Sequence, residues 1–165
     1  MSKRNYENFP ISLALFDALP VIFFSISVII IAMNYRNALF IAGSILVTLA
    51  GLGKVIWKII IAATRRDIAI LNRQLRIIMP VGFILIIAGI IMGAGSIDIN
   101  WLMSAILSFP AVIFFAITVI GMILMTIFAF RLDGTRLSSN WIEQITNAIA
   151  QASLLIGILA ACFWD

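Results

Sequence analysis

The stretch LFIAGSILVTLAGLGKVIWKIIIAATRR, Leu39 to Arg66, decides the fold of this chain. Up to Ala62 it is apolar apart from Ser44, Thr48, Lys54 and Lys58, and it then stops on paired arginines. A helix rises ~1.5 Å per residue, so this run is long enough for the ~20 residues that cross a bilayer core. Comparable runs lie from Ile11 to Met33, from Ile77 to Met92, within Trp101 to Phe130 and from Asn140 to Trp164. The expectation is an all-α integral membrane bundle of five transmembrane helices, forming a single domain over residues 1–165. Two runs need comment. The one from Ile77 is short unless its helix starts earlier, near Asp67. The one around Pro110 is too long for a straight crossing, so Pro110 either kinks it or separates an interfacial turn from the span.

Composition supports lipid as the solvent. The chain has 165 residues, of which 64% are hydrophobic and 11% charged, whereas a soluble domain is near half apolar and a quarter charged. The net charge of +4 is carried by cations that flank apolar runs. That distribution points to topology and anionic lipid, not to nucleic acid. One cysteine, Cys162, and no histidine exclude an intrachain dithiol relay, haem held by histidine and the usual zinc sites, and no cofactor is implied. The first apolar run holds Asp17 and is too long for a signal-peptide core, so it reads as a retained span.

Cation placement orients the bundle. Lys3 and Arg4, then Arg65, Arg66, Arg73 and Arg76, then Arg131 and Arg136 fall on one side; the other has only Arg36, with Asp98 in a loop that lacks a cation. The positive-inside rule puts the N-terminus in the cytosol and the C-terminus outside, in a plasma membrane. Trp57, Trp101, Trp141 and Trp164 fall near span ends, where interfacial aromatics belong. Pro20 to Phe24 echoes Pro110 to Phe115, but a chain this rich in Ile and Phe gives the echo little weight.

Polar residues inside the spans mark where chemistry could sit. Lys54 lies roughly 10 Å from the cytosolic end of its span, where an unpaired lysine costs about 2.5–3.5 kcal/mol. Lys58, one turn shallower, can reach the headgroups. On a helical wheel Ser44, Thr48, Gly51, Lys54 and Lys58 share an arc, which should face inward. Asp17 falls at a depth similar to that of Lys54, three residues before the bend expected at Pro20, and an Asp17–Lys54 pair would offset both burial costs. In the last span Asn140, Glu143, Gln144, Asn147 and Gln151 make a polar stripe that ends near mid-membrane. Beside it, Thr146, Ala150, Ser153, Gly157 and Ala161 make a small-residue packing stripe. Gly89 and Gly93 form a Gly-x-x-x-Gly pair suited to close packing or a homodimer contact.

Asp17, Lys54, Lys58, Glu143, Asn147 and Gln151 are therefore the expected ligand-binding residues of a cytosol-facing polar pocket. Such a pocket suits binding or translocation of a small polar or anionic solute. A non-transporting subunit, sensor or assembly factor is the other class that fits, its polar faces meeting a partner helix or lipid headgroups. Five spans are few for a self-contained carrier, so a homo-oligomer or a membrane partner subunit is expected. Without histidine, a paired-carboxylate motif or a nucleophile signature, an enzyme is not the expectation.

Overall fold

The computed structural model describes residues 10–64, 68–133 and 136–163, with all their side chains except those of 69, 72–76 and 163. Lys3, Arg4, Arg65, Arg66 and Trp164, and the side chains of Arg73 and Arg76, lie outside this description. Among the described residues the regular structure is entirely helical: α1 (Ile11–Phe16), α2 (Ala18–Asn34), α3 (Ala38–Thr64), α4 (Ala69–Met92), a 3-10 turn (Ala94–Ser96), α5 (Ile99–Leu107), α6 (Ala111–Arg131) and α7 (Leu137–Phe163). Four segments are long and apolar enough to cross a membrane: Ile11–Asn34, Ala38–Thr64, Ala111–Arg131 and Leu137–Cys162. In α4 the apolar part is the shorter Ile77–Met92, although the helix begins well before it.

Prolines punctuate the chain as their chemistry requires. Pro20 has no N–H to donate to the carbonyl of Phe16, and the helix is interrupted at Asp17, between α1 and α2. Pro110 caps α6 and separates it from α5, so the long fourth run is a short helix followed by a span. Asp98 starts α5 by accepting from the backbone N–H of Asn100 and Trp101, an Asx cap. The two similar Pro-led segments thus play different parts, one inside a span and one at its start.

Small residues set how the helices meet. Lipid tails solvate Leu and Ile as well as a neighbouring helix does, so close backbone approach, not apolar burial, drives packing in a membrane. Antiparallel α3 and α4 form the most extensive contact. There Gly43 lies so near Gly82 that a Cβ on Gly43 would come 2.5 Å from the Gly82 carbonyl oxygen. Gly89 abuts Phe40 and Asn37, and Gly93 abuts Tyr35. The Gly-x-x-x-Gly pair is therefore occupied within the chain, by the α2–α3 turn and the start of α3. Antiparallel α6 and α7 meet at Gly121 and Ala150 and again where Phe115 covers Gly157. Thr118 Oγ1 also lies 3.3 Å from the Ala150 carbonyl oxygen. The small stripe of α7 is thus its α6 face. Between these two hairpins runs α2, packed on α3 at Val21–Gly51 and on α7.

These contacts fix relative height. Phe16 packs against Trp141 as a tilted ring pair with centroids 5.6 Å apart, and Asp17 meets Lys58. Arg131, ten positions beyond Gly121, comes level with Asn140 and Trp141. We call this level the basic end. About 30 Å further along α7, at ~1.5 Å per residue, Ala160 is level with Tyr35 and Ala111, which matches the thickness of a hydrocarbon core. Trp57 is buried in the bundle rather than set in an interfacial belt, while Trp101 on α5 is exposed.

Candidate functional site

At the basic end three helices bring charge together. Lys58 Nζ lies 2.9 Å from Asp17 Oδ2, and the two side chains are only 4% and 3% exposed. The interruption at Asp17 turns its carboxylate toward α3, and the α2–α3 register set by Gly51 against Val21 places Lys58 opposite it. This corrects the expected Asp17–Lys54 pair. Asp17 is one turn nearer the basic end than Lys54, and Lys58 is a buried ion-pair partner, not a lysine reaching for headgroups. Lys54 is half-buried, about 6 Å further in along the helix. Lys58 also lies within electrostatic range of Lys54 and of Glu143 on α7. The cluster thus holds two cations and two carboxylates and is close to neutral.

The inward arc expected on α3 is present. Lys58 meets Asp17, Gly51 meets Val21, and Ser25 Oγ lies 3.4 Å from Thr48 Oγ1, so this arc faces α1 and α2. Hydroxyls in the spans are satisfied locally: Ser25, Ser27, Ser44 and Thr118 each donate to the carbonyl four residues back, the usual resolution for Ser and Thr within a helix. They do not call for a ligand.

The carboxamides of α7 behave differently. Gln144 is 1% exposed and its Oε1 has no hydrogen-bond partner; Gln151 Oε1 is likewise buried without one. A buried acceptor left unpaired costs about 1–3 kcal/mol, so such an atom calls for a partner, and a water or a bound group is one that fits. Gln144 follows Trp141 by three residues, on the side of α7 that faces α1. Gln151 reaches toward α6, with Nε2 3.7 Å from Met122 Sδ. Glu143 and Asn147, to one side of these two on the helix, are half-buried. Asn140 is buried and donates to the Arg136 carbonyl oxygen, which leaves it structural. By the α6–α7 register, Gln151 is about midway between the two ends.

Beyond Gln151 the same arc of α7 continues as Leu154 and Ile158, and these, with Ala161 from the neighbouring small-residue stripe, line a cavity of about 460 Å³ in the far half. Its other walls come from α2, α3, α4, α5 and α6. Six segments contribute mostly apolar side chains, so no local pattern announced it. The one available signal was the clustering of Tyr35, Asp98 and Trp101 near far-end turns. Among the described residues no group of three or more His, Cys, Asp or Glu side chains could hold a metal ion. Comparison with protein-family models, curated proteins and solved structures gives no match, so the site is read from its own chemistry.

Proposed function

We propose that this is a five-crossing plasma-membrane protein, with its basic end in the cytosol, that binds and passes a small polar solute along α7. Support for the fifth crossing comes from α4 lying antiparallel beside α3 along most of its length, so that α4 crosses wherever α3 does. The orientation rests on the cations at the basic end. The solute reading rests chiefly on one observation, the two buried carboxamide oxygens, Gln144 Oε1 and Gln151 Oε1, that lack donors. Unpaired acceptors ask for N–H or O–H donors. Lys58 is already neutralised by Asp17. The preferred solute is therefore neutral or zwitterionic, and an anion would find only Lys54 half-open to it.

A second reading makes the protein a non-transporting subunit whose polar stripe meets a partner helix. The observation in its favour is the Asp17–Lys58 pair, which satisfies itself and needs no solute. Accessibility separates the two. With Cys162 replaced by serine, Asn147→Cys should react with a membrane-impermeant maleimide added from the cytosolic side of native membranes, and the reaction should slow when a bound solute is present. Glycine, urea and glycerol serve as donor-rich probes, with chloride and phosphate as anionic controls. Labelling that appears only after purification would overturn the solute reading in favour of a partner-covered face. Stabilisation by the anions alone would overturn the preference for donors.

A further inference from the structure

We propose that the far-end cavity, beyond the end of the polar stripe on α7, is a second site, for an apolar molecule bearing a cationic head. Its volume of about 460 Å³ lies within the ~300–1,000 Å³ typical of small-molecule pockets, which are apolar with a few placed polar groups. Ile31, Phe115, Leu154 and Ile158 supply apolar wall. Among the polar groups on the lining, Asp98 brings a carboxylate, Asn34 and Tyr35 bring acceptor oxygens, and Trp101 brings a ring face with an indole N–H. Asp98 Oδ1 is held by the backbone N–H of Asn100 at 3.0 Å and of Trp101 at 3.1 Å, which anchors the carboxylate and leaves Oδ2 open. Among the described residues no lysine or arginine pairs with Asp98. Arg36, in the neighbouring turn, is exposed and does not line the cavity.

Two aromatic rings join that carboxylate on the lining, Tyr35 and Trp101. Tyr35 donates its hydroxyl to the Gly89 carbonyl oxygen at 2.6 Å, so its ring is fixed and its oxygen can only accept. Asn34 donates its Nδ2 to Ile30, which leaves its Oδ1 as an acceptor. A carboxylate, two rings and a carbonyl oxygen beside an apolar cavity complement a cation through ion pairing and cation–π contact. An anion would meet the repulsion of Asp98 with only neutral donors, such as the Trp101 indole N–H, to offset it. Asp98 is itself exposed, so a neutral apolar guest would use the walls alone and gain nothing from the carboxylate.

Cys162 lines the cavity and is exposed, so the native chain carries its own reporter. In nanodiscs, tetraphenylphosphonium should slow alkylation of Cys162 by N-ethylmaleimide in a saturable way, while tetraphenylborate, the same shape with the opposite charge, should not. Asp98→Asn keeps an α5 cap and removes the charge; as Asp98 is exposed, it should raise the half-protecting concentration about two- to fivefold. Ala105→Trp, which fills the cavity, should abolish protection. Equal protection by both ions, or an unchanged half-protecting concentration in Asp98→Asn, would overturn the cationic assignment. Protection that survives Ala105→Trp in a folded protein, or no saturable protection of the native chain, would remove the site. None of these outcomes touches the polar stripe, whose own test is read at Asn147.

Discussion

Lys58 and Asp17 face each other across α3 and the α1–α2 interruption at 2.9 Å, with both side chains almost wholly withdrawn from the surface. Removing one partner strands the other charge. Lys58→Met or Asp17→Asn should therefore lower unfolding stability in detergent by about 3–5 kcal/mol, whereas Asp17→Leu with Lys58→Leu together should be neutral or stabilising by up to about 4 kcal/mol. Thermal or denaturant unfolding of the three variants measures this. A Lys58→Met protein as stable as wild type would mean that the pair contributes nothing.

Lys54 should respond with the opposite sign. It is half-buried and one turn from Lys58 on the same helix, a like-charge i, i+4 spacing that costs about 0.2–0.5 kcal/mol. Lys54→Leu should raise the melting temperature, where Lys58→Leu lowers it. The same Lys54→Leu variant should lose stabilisation by added solute. If that response is intact, Lys54 does not belong to the site.

Gly43 and Gly95 make a matched test of packing. A methyl group at Gly43 would come 2.5 Å from the Gly82 carbonyl oxygen and 2.7 Å from the Ile86 backbone nitrogen, whereas at Gly95 nothing lies within 4 Å. Backbone cannot step aside as a side chain does. Gly43→Ala should destabilise by about 1–3 kcal/mol, as overpacking does; Gly95→Ala should change stability by less than about 0.5 kcal/mol. Protease resistance in detergent would rank them.

Gln144 reports whether the orphan oxygens are wet or dry. Methionine matches its length without a polar atom. Water that reaches the stripe satisfies this oxygen when solute is absent, so in solute-free detergent Gln144→Met should destabilise the protein by about 0.5–1.5 kcal/mol. A gain of stability would show instead that Oε1 is dry and out of reach of solute.

Local rules made much of this fold readable. Run length and Pro20 located the first span and its interruption, and the small residues of α7 correctly announced a packing face, now seen against Gly121, Thr118 and Phe115. The inward arc of α3 was readable from the wheel because a helix fixes the angle between its own residues. What one helix cannot carry is the register between two. Whether Asp17 meets Lys54 or Lys58 depends on Val21 seating against Gly51, a contact between distant parts of the chain. The same reason hid the partners of Gly89 and Gly93, which proved to be in the α2–α3 turn. It also hid the burial of Trp57, which looked like an interfacial anchor because span ends alone do not reveal neighbours. The far-end cavity was least legible, since it exists only once six segments have been assembled.

The account depends most on water reaching into the membrane along one edge of α7. In a Cys162→Ser background, single cysteines at Glu143, Asn147 and Gln151 should react with an impermeant maleimide from the basic side, progressively more slowly with depth. Cysteines at Ile145 and Ile149, which are exposed on other faces of the same helix, should stay unreactive in the bilayer. Reactivity that follows depth alone, with Ile145 matching Glu143 and Ile149 matching Asn147, would contradict the hydrated stripe.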